Sequence, residues 1–198
     1  MQEQFSRSAG VLMPVSSLPG PYGIGTFGKK AYEFVDNLVK ARQKYWQVLP
    51  LGPTSFGDSP YASFSAFAGN PYFIDLDMLI EEGLLTKEFV DSKRWNIEDQ
   101  YVDYGLVYNS RFEVLRVAYE NSNHKELNEY KEFFTENEFW LEDYSLYRAC
   151  KDKYEGRPWS EWDKEIKFRE AETVGAFKEE LKDDMDFYKF IQFKFNEQ

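Results

Sequence analysis

The sequence predicts an α/β protein that opens on parallel strands and continues as helices, and three observations carry that reading. Two short apolar runs, "AGVLMPV" (9–15) and "KYWQVLPL" (44–51), are each interrupted by proline. Between them, "KKAYEFVDNLVKAR" sets Ala31, Phe34, Val35, Leu38 and Val39 at helical spacing, with charges on the opposite face. From about 104 to 196 apolar residues recur at helical spacing almost without a break.

The first run is continuous and short, which suits a strand over 10–15 buried on both faces. The second reads as a strand over 45–50, and the segment between as a helix near 29–42. Strand, helix and strand in succession make a βαβ unit, with parallel strands and a right-handed crossover. In parallel α/β folds, the loops leaving the carboxyl ends of strands build the site. Here those loops are 16–28 and 50–75. Beyond them "DLDMLIEEG" reads as a short helix, with Asp75 near its start and Gly83 just past its end. Val107, Val114, Leu115 and Ala118 form one later stripe, and Leu127, Tyr130, Phe133 and Phe134 a second. Leu141, Tyr144 and Tyr147 form a third, and Phe187, Phe190 and Ile191 close the series. "EGRPWSEWD" holds Trp159 and Trp162 in a turn-rich segment. No third strand is legible, and two parallel strands do not make a stable sheet unaided. The chain stops at "FIQFKFNEQ", inside a helical pattern, so a truncation is expected there rather than a natural terminus.

Composition narrows the function classes. At 198 residues and 42% hydrophobic content the chain can bury a core, but 19% aromatic residues is far above the ordinary. Acidic residues outnumber basic ones 35 to 24, for a net charge of −11. That field repels phosphate backbones and no basic cluster offsets it, which argues against a nucleic-acid partner and for plain solubility. Cys150 is the single cysteine, excluding an intrachain disulfide and a two-cysteine metal site. His124, the single histidine, lies in the polar run "NSNHKELNE" and reads as a solvated loop or helix-start residue. Any Ser–His–Asp triad would have to use it, and no nucleophile elbow is near. The opening "MQEQFSRSAGVLMPV" lacks the basic start and apolar run of a signal peptide, and nothing approaches a membrane span. The expectation is a cytoplasmic protein with no membrane partner.

One stretch resists both periods. "GDSPYASFSAFAGNPY" (57–72) carries Tyr61, Phe64, Phe67 and Tyr72 among small residues, with Phe56 just before it. These rings either pack a strand loop against the helical part or face a ligand. Packing is the expectation for Phe64 and Phe67.

The segments "SAGVLMPVSSLPGPYGIGTFG", "YWQVLPLGPTSFGDSPYASFSAFAGNPYFIDL" and "FYKFIQFKF" resemble the N-terminal part of the 4-α-glucanotransferases, the amylomaltase or disproportionating-enzyme family. The match is dense over 8–85, looser through the helical stretch, and firm again around Trp159 and 187–195. The resemblance implies the N-terminal portion of a (β/α)8 TIM barrel, with its first two strands and helices and a large helical insertion. Residues 1–75 would start the barrel, and 76–198 would form the insertion leading into a barrel helix. It further implies transfer of α-1,4-glucan segments between maltooligosaccharides or starch- and glycogen-type glucans, without cofactor. The family's nucleophilic aspartate and acid/base glutamate come from later strands, so the rest of the barrel becomes the partner. No catalytic, cofactor-binding or metal-binding residue is therefore assigned in this chain. Retaining glycosyl transfer needs two carboxyl groups roughly 5–5.5 Å apart on rigid elements. Asp58 is the one acid in a site loop, while Glu81, Glu82, Asp183, Asp184 and Asp186 read as solvated helix faces.

Matched position by position, the resemblance gives three substrate-binding candidates, Tyr61, Ser59 and Asp58. Tyr61 falls on the tyrosine that packs against glucose at the cleavage position, and Ser59 on a serine that hydrogen-bonds donor-side sugars. A pyranose exposes a C–H face that stacks on an aromatic plane while its hydroxyls take polar partners, and tyrosine offers both. Asp58 and Pro60 match residues that fix the turn; Asp58 could alternatively cap a local N–H. Phe56 stands where some members carry a tyrosine at a secondary glucan surface, keeping the stacking face and losing the hydroxyl. "GIGTFG" (23–28) fits G-x-G-x-x-G after a strand, but the following strand ends in Pro-Leu-Gly-Pro rather than an acid, which argues against a dinucleotide. Trp159 and Trp162 form either a glucan platform or, more often for paired tryptophans, core. Two alternatives stand beside the transferase: a non-catalytic glucan-binding module, and part of a related α-glucan hydrolase.

Overall fold

β1 (Gly10–Leu12) and β2 (Tyr45–Gln47) pair in parallel, with Gly10 opposite Tyr45 and Leu12 opposite Gln47. The computed structural model describes residues 7–98 and 100–198, so part of the stretch read against a signal peptide lies outside them. Both strands are shorter than expected. Pro14 has no N–H to continue the ladder, and the chain turns at once into a 3₁₀ turn, Val15–Ser17. Burial on both faces is not observed. Gly10 and Leu12 are exposed and Val11 is half-buried, because among the described residues no third strand covers the sheet.

α1 (Lys29–Lys40) makes the crossover, burying Ala31 and Leu38 and setting Phe34 edge-on to Trp46 of β2, centroids 5.0 Å apart. Val35 and Val39 of the predicted stripe face solvent. The glycine motif ahead of α1 is a packing device. A side chain at Gly25 would strike the Val15 carbonyl oxygen, 2.0 Å from its Cβ, and one at Gly28 would strike the Asp75 carboxylate at the same distance. That space is filled by protein, as expected of a tight connection.

Helices follow in the order α2 (Leu76–Glu81), α3 (Lys87–Asp91), α4 (Tyr104–Glu120), α5 (Asn128–Lys153), α6 (Lys164–Lys167), α7 (Ala171–Glu180) and α8 (Lys182–Glu197). Three starts are legible as caps. Asp75 accepts from Met78 N, Thr86 from Phe89 N and Asp103 from Leu106 N, each satisfying an amide the helix leaves unbonded. Gly83, at φ +77, ends the α2 segment in the left-handed region. α5 is one unbroken helix where the sequence shows two stripes. Its apolar residues keep much the same face and change partners midway along it. Tyr130 and Phe133 meet Phe193 of α8, whereas Tyr144 and Tyr147 meet Phe64 of the long loop.

α8 is the spine of the helical part. Phe187, Phe190 and Ile191 pack into one core with Val114, Leu115 and Ala118 of α4, and Met185 joins Leu146, Ala149 and Cys150 of α5. Each Val, Leu, Ile, Phe or Met among them contributes about 1.5–3 kcal/mol by leaving water. α8 also clamps the foot of the long loop, where Gln192 accepts from Gly69 N at 2.8 Å and donates to Gly69 O at 3.0 Å. Arg111 was not singled out by the sequence. It is fully buried on α4 with Nη1 donating to Ile74 O at 2.9 Å, its guanidinium carbon 5.2 Å from the Trp95 ring centre, and burial lowers its pKa to about 10.

His124 stands at a helix start, as one of its readings had it, but it is not solvated. It opens a 3₁₀ turn, His124–Glu126, just ahead of α5, and is only 4% exposed. Tyr119, Tyr130 and Phe190 surround its ring at 4.7–5.5 Å between centroids. Helix packing brings three rings over a polar stretch, a contact no local pattern reveals. The acids read as solvated faces do lie at the surface, but most are paired. Asp183 and Asp184 meet Arg116, Asp186 meets Lys125, and Glu82 meets Lys194.

Candidate functional site

Residues 54–68 form an open loop with almost no anchorage of its own. Asp58 N donates to Ser55 O at 3.0 Å, Ala62 N to Ser59 O at 3.1 Å, and Ala68 N to Ser65 Oγ at 3.0 Å. These bonds all stay within the loop. Gly57 and Asp58 both have positive φ, +90 and +53, and aspartate is among the few side chains that tolerate this region. Asp58 thus fixes the turn through its backbone. The alternative, a capping Asp58 side chain, is not what forms; Ser59 Oγ accepts the local amide, from Tyr61 N at 3.3 Å.

What holds the loop against the helices is its rings. Phe64 lies parallel to Tyr144, 6.3 Å between centroids and 6° between planes, and tilted against Tyr147 at 5.8 Å. Phe67 meets Phe139 edge-on at 5.2 Å and lies over Trp140 at 6.0 Å. The packing role is borne out for Phe64. Phe67 makes its contacts on the surface, 62% exposed, so the dry partner expected for it is absent.

Between this loop and the helices opens a cleft of about 830 Å³. Phe56, Asp58 and Phe64 line the loop side, and Tyr104, Tyr108, Tyr147 and Arg148 the helical side. Aromatic faces on both walls with hydroxyl, amide and charged groups between them suit a ligand that is flat and apolar on its faces and polar at its edges. Of the four residues singled out in the loop, the structure brings Asp58 and Phe56 to this cleft, Phe56 with its ring wholly in solvent. Tyr61, 75% exposed, and Ser59 stand beside the cleft on the loop rim and do not line it. Asp58 and Pro60 also line a smaller cavity of about 80 Å³ floored by Leu49, Leu51 and Phe73.

Burial raises the Asp58 carboxyl above its usual range. The phenols of Tyr72 and Tyr104 are raised as well, by burial first and then by the Asp58 charge facing them. Two acids on the opposite wall were invisible to the sequence as site residues. Asp152 accepts from Tyr188 Oη, and Glu155 lies near Arg157 at 3.5 Å, so each already has a partner. Among the described residues no three metal-ligating side chains converge. No helix there is long and apolar enough to cross a membrane. The two tryptophans divide: Trp162 is buried, stacked on Tyr154 at 5.3 Å, and Trp159 is exposed.

The family profile described as 4-alpha-glucanotransferase matches residues 13–198. A 4-alpha-glucanotransferase of Clostridium butyricum is 52% identical over 92% of this chain, and one of Streptococcus pneumoniae is 43% identical over 97%. The amylomaltase of Streptococcus agalactiae, solved in complex with acarbose, superposes on 97% of the chain with a TM-score of 0.91 at 39% identity. The fold is α/β, mainly helical with a two-stranded parallel sheet among the described residues. The chain belongs to the 4-alpha-glucanotransferase family, and it spans about 38% of the length of the two curated relatives.

Proposed function

We propose that this chain is the N-terminal, donor-side part of a 4-α-glucanotransferase, which moves α-1,4-glucan segments between maltooligosaccharides in the cytoplasm. In this reading residues 1–75 begin a (β/α)8 barrel and 76–198 are its helical insertion. Tyr61 packs against the sugar at the cleavage position, Ser59 hydrogen-bonds donor-side sugars, Asp58 shapes the turn that presents them, and Phe56 offers a weaker glucan surface. The nucleophilic and acid/base carboxylates lie on strands outside this chain, and no cofactor takes part. One observation supports this above the others. The cleft sets aromatic walls from the loop and from α4 and α5 across a polar floor, beside the rim that carries Tyr61. Such a cleft binds a glucan by stacking on pyranose faces and hydrogen-bonding their hydroxyls.

The test has two arms. Titrating the chain with maltoheptaose, with cellohexaose as control, should give saturable binding for the α-glucan alone. Incubation with maltotriose should give no transfer from the chain and clear transfer from the enzyme that contains it. Equal response to both oligosaccharides, or transfer by the chain alone, would overturn the assignment.

A further inference from the structure

Among the described residues, Arg148 of α5 is the one cation set against Phe64, the ring that holds the loop. Its guanidinium carbon lies 5.4 Å from the centre of Phe64, 5.5 Å from Phe112 of α4 and 4.8 Å from Tyr188 of α8. Nη2 donates to Tyr188 Oη at 3.2 Å, and Tyr188 Oη donates in turn to Asp152. Nε is buried and has no partner. The loop, α4, α5 and α8 therefore meet at one side chain, which also forms part of the cleft wall.

We infer that Arg148 is a positioning residue for the glucan site, locking the 54–68 loop to the helical body through the face of Phe64. The inference rests on the function proposed above only for its effect on substrate; the locking itself is a property of the fold. Three arguments carry it. The loop's hydrogen bonds are internal, so its placement depends on ring contacts to the helices. Of its two anchoring rings Phe67 is mostly in solvent, which leaves Phe64 as the better-held one. A guanidinium within about 6 Å of an aromatic centre is attracted to the ring, and more strongly when partly desolvated. The hydrogen bond to Tyr188, which Asp152 holds in turn, restrains the guanidinium against Phe64.

Amide hydrogen exchange on the full chain tests the lock. In Arg148→Met, which keeps most of the volume, amides of 57–68 should exchange roughly tenfold faster while those of α5 and α8 keep their rates. Arg148→Lys, which keeps the charge, should stay within about threefold of the parent. Phe64→Leu leaves Arg148 in place and should reproduce the faster loop exchange, so the inference remains testable if the methionine variant does not fold. Unchanged loop exchange in Phe64→Leu, or equal acceleration of loop, α5 and α8 in Arg148→Met, overturns it.

In the enzyme that contains the chain, Arg148→Met should raise KM for maltotriose about fivefold with kcat within twofold, because Tyr61 and Ser59 of the loop are kept and their placement loosens. A lower melting temperature with unchanged KM would reduce Arg148 to a structural role and refute the inference. If the parent enzyme transfers no glucan, the functional reading fails, while the exchange comparison still decides whether Arg148 holds the loop.

Discussion

Two aromatic regions of this molecule use the same residue types in opposite ways. Where α8 crosses α4 and α5, Phe187, Phe190 and Phe193 are sealed among Tyr119, Tyr130 and Phe133, and their ring contacts run between helices, Phe187 and Phe190 to α4 and Phe193 to α5. In the 54–68 loop, Phe56, Tyr61 and Phe67 project into solvent, and Phe64 alone is half-covered. The backbone beneath explains the contrast. A helix satisfies its own hydrogen bonds and can present a stripe of rings to a neighbour. The loop satisfies its amides in local turns, points successive rings different ways, and cannot bury them together. Aromatic content therefore measures core in one region and exposed surface in the other.

The largest expected difference comes from truncating a ring on the helical side. Phe190→Ala removes a wholly buried ring from contact with Tyr119 and His124 and leaves a cavity. The expected loss is about 3–5 kcal/mol, or a fall of roughly 10 °C or more in melting temperature for a chain of this size. Calorimetry measures it, and a fall of only a degree or two would mean that the core is far looser than its packing.

His124 sharpens the comparison, since it places a titrating group within that core. Ser122 Oγ has one proton, which it donates to Tyr119 O at 2.7 Å, so its 2.7 Å contact with Nδ1 requires Nδ1–H as donor. Nε2 is then the bare nitrogen, buried and without a partner. Burial, with smaller contributions from Lys125 and Lys194 against Asp186, lowers the pKa from 6.5 to about 4. A depressed histidine pKa means that the unfolded chain takes up the proton first. Its contribution is thus complete above about pH 6.5 and is lost as pH falls toward 4. The amount is roughly 1–3 kcal/mol. Carboxylates add their own acid sensitivity, so the informative quantity is the difference between parent and His124→Gln in urea unfolding from pH 7 to 4. The parent should lose more stability across that window; parallel curves would show that His124 protonates without cost in the fold.

How much of this was legible in the sequence follows from the range of each interaction. The Asp75 cap, the α1 crossover and the α4 and α8 stripes are local, and Asp75, Val114, Leu115 and Phe190 could be read from the sequence. Strand burial was not legible, because it depends on neighbours that Leu12 does not meet among the described residues. The burial of His124 and Arg111 arises from contacts 66 and 37 positions away, with Phe190 and Ile74. In the site, the motif singled out Asp58, Ser59 and Tyr61, but the facing wall of Tyr104, Tyr108, Tyr147 and Arg148 comes from helices with no unusual pattern. A lone arginine at a helical position carries no signal until the rings around it are known.

On the loop side, Tyr61 should matter to transfer rather than to folding. It is 75% exposed, so Tyr61→Ala should leave the melting temperature within a degree or two. In the enzyme that contains the chain, losing a stacking face worth about 0.5–1.5 kcal/mol should slow glucan transfer up to about tenfold. Tyr61→Phe keeps the ring and should cost less. Parental transfer rates together with early melting in Tyr61→Ala would make it a core residue and remove the main sugar contact of the proposed function.

The smallest effect is expected at Phe67, the position that separates the two regions most directly. Its surroundings look like core on paper, with Phe139 edge-on and Trp140 stacked beneath. Its exposure of 62% decides otherwise. Truncation there returns little apolar surface to water and leaves no enclosed cavity, because solvent already occupies the open side. Phe67→Ala should therefore cost under about 1 kcal/mol, the scale of a surface aromatic pair, and shift the melting temperature by less than about 4 °C. Measured beside Phe190→Ala, it tests whether burial or ring contact governs aromatic stabilisation here. A loss at Phe67 as large as that at Phe190 would mean that the loop closes over α5 in solution, burying rings that this conformation leaves in water.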